Sequence, residues 1–223
     1  MPYQEIPEDP SLADPLPDEP TATLSRWFDE AQVQSARRNP LAMTLATLDS
    51  AKQPTARMVL CRGYEPDPGF VVFYTNRNSA KAEGLVPGMP VALVFHWDDW
   101  QRQVRISGPV QTSPDAESDT YFAGRPRPAQ IAAWASAQSE PIGSRAQLLE
   151  ALAHQESKFG QDPTAPPVPR PPFWGGYRVY FECVELWVGA EGRVHDRALW
   201  QRELVATQDG YRPRAWSVAR LQP

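Results

Sequence analysis

In "GRVHDRALWQRE", residues 192–203, Arg193, His195 and Arg197 occupy alternate positions of a run that reads as β-strand. Side chains two apart on a strand share a face, so this spacing predicts two guanidinium groups and an imidazole converging on one side. Such a trio of cationic or titratable groups suits a cleft for an anion. Other cationic segments lie upstream. "ARMVLCR" brackets an apolar core with Arg57 and Arg62, which need a bulge or a strand end to reach one site. "YTNRNSAK" places Tyr74, Thr75, Ser79 and Lys81 around the start of a short helix, where unpaired N–H groups and the helix dipole favour an anion. "YFAGRPRPAQIAAWASAQS" adds Tyr121, Arg125, Arg127, Gln130, Gln138 and Ser139, with prolines stiffening the chain around the arginines. Arginine's planar fork suits phosphate. Neither GxGxxG nor GxxxxGK[ST] occurs, so side chains must do most of the gripping.

The elements that position these groups are mainly β. After a Pro-rich acidic stretch over residues 1–20, expected to be a disordered or extended arm, "TATLSRWFDEAQVQSARR" predicts a helix over 21–38 with Leu24, Trp27, Phe28 and Ala31 on one face. The period then changes to two in "LAMTLATL", "ARMVLCRG", "FVVFYTN", "PVALVFHW" and "QRQVRISGPVQT". Helices are expected at "SAKAEGLV", "SPDAESDTYFAG", "PAQIAAWASAQS" and "SRAQLLEALAHQESKFG", the last with Leu148, Leu149 and Leu152 on one face. Strands close the chain near 176–189, 193–201 and 211–220. Antiparallel strands with peripheral helices imply one α+β domain over 21–223, built as a closed or split β-barrel that leaves no exposed strand edge.

Composition narrows the function. The 223-residue chain carries a net charge of −5, but residues 1–30 hold eight acids against Arg26 alone, leaving the remainder with 19 acids against 21 bases. That mild excess falls short of a nucleic-acid surface and suits a pocket for a small anion. No apolar run is long enough to span a membrane, and the start has neither the basic nor the apolar region of a signal peptide, so a cytoplasmic location is expected. Cys61 and Cys183 sit in apolar runs as small core residues would, and His96, His154 and His195 share no metal-ligand spacing.

Together, "RMVL", "FYTN..S.K", "RQVRISG", "YF..RPR..QI.AW.S.QS", "FWGGYRV" and "LW.G...R.HDR..W.R" make the chain resemble the pyridoxamine/pyridoxine 5'-phosphate oxidase family from about Asn39 to Pro223. The resemblance implies an FMN-binding split barrel, a homodimer with FMN at the subunit interface, and oxidation by dioxygen of pyridoxamine or pyridoxine 5'-phosphate to pyridoxal 5'-phosphate with release of hydrogen peroxide. It implies Arg57 and Lys81 at the FMN phosphate beside Tyr74, Thr75 and Ser79, with Gln103, Gln138, Ser139, Trp187 and Arg197 along the rest of the flavin. Arg62, Tyr121 and Arg125 would meet the substrate phosphate. Arg193 and His195 would cover the pyridine ring and serve as the catalytic pair, positioning substrate or managing protons.

The chain departs from the family pattern at four places. Arg62 stands where the family has Lys, Ala80 where it has Arg, Ala129 where it has a phosphate-binding Ser, and an acidic arm replaces a basic segment. Arg77 and Arg127 are the candidates to compensate. Two other functions fit the same residues: a related flavin oxidase acting on another small anion, as in phenazine biosynthesis, and a non-catalytic split barrel that binds flavin or haem. The Arg62 and Ala129 changes favour the first; retention of both Arg193 and His195 argues against the second.

Overall fold

Alternating burial shapes the sheet. The computed structural model describes residues 11–162 and 164–223. β1 (Ala42–Leu48) sends Met43, Leu45 and Thr47 inward, and β5 (Pro90–Trp97) sends Val91, Leu93, Phe95 and Trp97. These join β2 (Pro54–Leu60), β3 (Gly63–Glu65), β4 (Phe70–Asn76), β6 (Arg102–Thr112), β7 (Trp174–Tyr180), β8 (Cys183–Val188), β9 (Asp196–Gln201) and β12 (Ser217–Leu221) in one ten-stranded antiparallel sheet. A separate hairpin pairs β10 (Leu204–Thr207) with β11 (Gly210–Pro213).

The sheet divides at β6. Its residues 102–107 pair with β8, and 110–112 pair with β7, which continues to β4. The split falls at Gly108, where an added Cβ would lie 2.0 Å from the Tyr180 carbonyl oxygen, so only glycine lets the backbones approach this closely. The sheet thus curls into the expected split barrel.

α1 (Thr21–Gln34) plugs the barrel with the predicted stripe: Leu24, Trp27, Phe28 and Ala31 are all buried. Phe28 meets Phe95 at 4.8 Å, Tyr64 at 5.1 Å and Trp97 at 6.0 Å between ring centroids. The helix ends four residues earlier than expected, at Gln34, because Ser35 is extended, and its N-cap is Pro20, with no side-chain cap bond.

Residues 11–20, expected to belong to a disordered or extended arm, are packed against β9. Leu12 is buried, its N–H donates to Asp196 Oδ2 at 2.8 Å, and the Pro17 carbonyl accepts from Trp200 Nε1 at 2.9 Å. Burying Leu12 and satisfying the Trp200 indole fixes the segment along β9. Residues 1–10, the rest of that expectation, lie outside the described residues.

α2 (Asp115–Ala123), α3 (Arg127–Ala135) and α4 (Arg145–Phe159) form the peripheral layer. Gln130 Nε2 donates to the Phe122 and Ala123 carbonyls, closing the end of α2. Arg127 does the same for α4, donating to the carbonyls of Phe159, Gly160 and Pro166. Cation and dipole reinforce each other there. Ser144 caps α4 through Gln147 N, while Leu148 and Leu149 face outward, 37% and 50% exposed. Among the described residues no helix is long and apolar enough to cross a membrane.

Candidate active site

β2, β4 and α3 enclose a cavity of about 460 Å³ lined by Arg62, Tyr74, Thr75, Lys81, Tyr121, Arg125 and Gln138, seven of the residues singled out from sequence. Lys81 organises one side. It sits in a 3₁₀ turn, Ala80–Gly84, following Ser79, and its Nζ donates to Ser79 Oγ at 2.8 Å, Gln138 Oε1 at 2.9 Å and Thr75 Oγ1 at 3.1 Å. Ser79 marks the start of the turn as expected, but its hydroxyl donates to the Asn76 carbonyl at 2.7 Å and caps no N–H. Burial, with the nearby Arg57 charge, pulls the Lys81 ammonium down to about 8. Arg57 does not line the cavity; its guanidinium donates to Thr47 Oγ1, Thr55 Oγ1 and the Leu45 carbonyl.

The opposite side is aromatic and cationic. Tyr74, Tyr121 and Trp174 stack nearly parallel, and the Arg125 guanidinium lies 4.8 Å from the Trp174 ring centroid. Arg125 Nη1 is buried without a hydrogen-bond partner. Burial lowers the Arg125 pKa, with Arg62 adding repulsion. Leaving a buried guanidinium N–H unpaired is costly, and the Arg125 side chain as a whole adds positive charge to the cavity lining. Tyr74 is held from behind: its hydroxyl donates to Glu117 Oε1 at 3.2 Å, and Glu117 Oε2 accepts from Arg178 Nε at 3.0 Å. Burial, then Glu117, pushes the Tyr74 phenol up, keeping it protonated.

The remaining sequence-predicted residues gather elsewhere in the protomer. Gln103 on β6, Trp187 on β8 and Arg197 on β9 lie abreast in register, Gln103 opposite Trp187 and Trp187 opposite Arg197. His195 packs on Trp187 at 4.7 Å between ring centroids, and its Nδ1 accepts from Ala190 N at 3.2 Å, which leaves Nε2 to carry the proton of the neutral ring. The alternating strand face expected for Arg193, His195 and Arg197 is not formed. β9 begins only at Asp196; Gly192 and Arg193 adopt φ of 64° and 62° in a 3₁₀ turn, Glu191–Arg193, so Arg193 is exposed on a loop and Arg197 alone belongs to the strand. His195, Asp196 and Arg220 border a second cavity of about 580 Å³ beside Ser11. Ser139 is exposed at φ 77° and lines neither cavity.

Arg127 and Arg77, the candidates to compensate, are engaged outside the cavity. Arg127 is committed to the end of α4, and Arg77 pairs with Asp115 at 3.6 Å; neither lines the cavity. Ala129, Ala132 and Ala133 form an α3 wall without hydroxyls. Sequence reasoning missed Trp174, whose ring continues the aromatic stack, although "FWGGY" marked it. It also missed Glu117 and Glu185, acids that anchor Tyr74 and Arg197.

Cations, hydroxyls and parallel rings facing one cavity suit a phosphorylated, planar ligand, and the curled antiparallel sheet places the chain among the split-barrel proteins of the flavin-binding type. The pyridoxamine 5'-phosphate oxidase family matches residues 29–155, and the pyridoxine 5'-phosphate oxidase C-terminal dimerisation region matches 174–223. The pyridoxine/pyridoxamine 5'-phosphate oxidase of Rubrobacter xylanophilus is 44% identical over 95% of this chain and 88% of its own, and that of Azorhizobium caulinodans 46% over 92% and 91%. PhzG from Burkholderia lata, solved with tetrahydrophenazine-1-carboxylic acid, aligns with a TM-score of 0.79 at 27% identity over 94% of this chain and 95% of its own. The chain belongs to the pyridoxamine 5'-phosphate oxidase family, whose members depend on FMN.

Proposed function

We propose that the chain is a pyridoxal 5'-phosphate synthase: an FMN-dependent, homodimeric, cytoplasmic oxidase of pyridoxamine or pyridoxine 5'-phosphate. The observation that carries this reading is the cavity lined by Lys81, Thr75, Gln138, Arg62 and Arg125 together with the stacked rings of Tyr74, Tyr121 and Trp174. The donor set fits FMN. Lys81, with Arg57, Tyr74, Thr75 and Ser79, would hold the FMN phosphate, and Gln103, Gln138, Ser139, Trp187 and Arg197 the remainder. Arg62, Tyr121 and Arg125 would take the substrate phosphate, with Arg62 also close to the flavin, and Arg193 and His195 would cover the pyridine. Bound FMN supplies two-electron oxidation of the carbon bearing the amine or alcohol, with dioxygen reduced to hydrogen peroxide.

The protein's own work is orientation and charge. Arg125 and Tyr121 fix the phosphate end of the substrate, which sets where its reacting carbon lies. His195 offers an Nε2 proton beside Trp187. Within one protomer the cavity group and the Gln103–Trp187–Arg197 row do not share a cavity. In a homodimer they would meet across the interface, one group from each subunit. The outward sheet face between them supports that arrangement, being small or apolar at Ala46, Ala56, Met58 and Ala92, with Met58 62% exposed.

A second reading has one observation in its favour. The hydroxyl-free wall of Ala129, Ala132 and Ala133, together with the likeness to PhzG, suits a substrate whose anionic group is not a phosphate. One assay separates the two. The purified protein should be yellow, and should form peroxide and the aldehyde when pyridoxine 5'-phosphate or pyridoxamine 5'-phosphate is added in air. Bound flavin with neither compound oxidised would favour the second reading; absence of flavin binding would sink both.

A further inference from the structure

Two positions before Trp187 on β8, and so on the same face, lies Glu185, a carboxylate only 7% exposed. Its Oε1 accepts from Arg197 Nε at 3.0 Å and Nη2 at 2.9 Å, and its Oε2 accepts from Arg105 Nη1 at 2.8 Å. Arg105 stands directly opposite Glu185 on β6, and Arg197 is one diagonal step away on β9. Three adjacent strands thus contribute one charge each, two positive and one negative.

Hydrogen-bond capacity shows what this leaves. A guanidinium has five N–H donors. Glu185 takes the Nε donor and one on Nη2 of Arg197, and the Gln222 carbonyl takes one on Nη1 at 3.1 Å. Two donors remain, one on each Nη. The fork is therefore pinned along one edge by a buried acid, and its orientation does not depend on a ligand.

We propose that Glu185 is a positioning residue for the flavin: it holds Arg197 so that the two remaining N–H groups meet the ring, and with Arg105 it limits the local charge to a single net positive. This rests on the reading above that Arg197 contacts FMN. Loss of the carboxylate would free the Arg197 fork that faces the ligand, so the effect is expected mainly on release of the ligand.

The test is a double-mutant cycle on FMN binding to the dimeric apoprotein, with Glu185→Gln, Arg197→Lys and the double variant compared with wild type by flavin fluorescence. Glu185→Gln should weaken FMN binding about tenfold or more, chiefly by faster release, and should shift the midpoint potential of the bound flavin, which a purely structural role would leave in place. Glu185→Asp, which keeps the charge, should recover part of the loss. In the Arg197→Lys background the Glu185→Gln effect should largely vanish. Additivity of the two changes within about twofold would overturn the inference, as would wild-type binding and potential in Glu185→Gln. Wild-type FMN affinity in Arg197→Lys would instead overturn the placing of Arg197 at the flavin. Should Glu185→Gln fail to fold, the same cycle run with Glu185→Asp decides, because its shortened side chain cannot keep all three bonds; unchanged binding there overturns the inference.

Discussion

Tyr74 and Tyr121 lie face to face, their planes 2° apart and their centroids separated by 4.0 Å. One ring comes from β4 and the other from α2, so the stack joins the proposed cofactor side of the cavity to the proposed substrate side. Tyr121→Ala removes one ring of the stack and a hydroxyl donor. It should raise KM for the phosphorylated substrate about tenfold while changing FMN affinity much less, and Tyr121→Phe, which keeps the stack, should raise KM less. Steady-state kinetics beside flavin titration checks this; loss of FMN with unchanged KM would reverse the assignment.

Ala129 lines the same cavity as Arg125, at a position where the family resemblance implies a serine hydroxyl. If the substrate carries a phosphate, Ala129→Ser should add one hydrogen bond and lower KM by roughly two- to tenfold. A substrate with a different anionic group should show no gain, so the KM of this variant for pyridoxine 5'-phosphate reports on substrate class.

If Lys81 holds the FMN phosphate, FMN binding should be pH-dependent. Its folded value near 8 lies below its ordinary 10.5, with burial as the first cause, so between those values the unfolded chain binds more protons than the folded apoprotein. The stability of the apoprotein should therefore rise with pH across that window. Affinity for the FMN phosphate should move the opposite way, falling by up to about tenfold per pH unit above pH 8, because binding needs the ammonium. Flavin titrations of the apoprotein between pH 7 and pH 10 read this directly, and Lys81→Met should flatten the profile.

Arg57 and the pair Arg193 and His195 should divide the labour. Arg57→Ala should weaken FMN retention first. Arg193→Ala and His195→Ala should lower turnover by about a hundredfold with flavin still bound. Flavin content measured beside turnover tests the division; loss of FMN from both Arg193→Ala and His195→Ala would contradict it.

What the sequence made legible was local. The Leu24–Trp27–Phe28–Ala31 stripe and the two-residue alternation of β1 and β5 each declare themselves within a few residues. The cavity residues were found because their order along the chain resembles a family, although their contacts span up to 63 positions, as between Thr75 and Gln138. The alternating Arg193–His195–Arg197 pattern misled, because two successive left-handed residues, Gly192 and Arg193, make a turn that polar alternation imitates. The ordering of residues 11–20 was invisible for the opposite reason: Leu12 and Pro17 find partners more than 180 residues away. Arg127 looked like an anion ligand, yet it closes a helix end that only the folded chain brings to it.

The undivided passage of β6 past Gly108 has a consequence for any attempt to re-engineer this protein. Gln103 sits at one end of that strand, and the other end pairs with β7, the neighbour of the strand bearing Tyr74 and Thr75. A single inserted residue at Gly108 would therefore invert the inside and outside of everything downstream on that ladder. Within each subunit the spacing between the two groups is thus a property of one continuous girder, and altering it there would mean redesigning that strand, because neither group can slide alone.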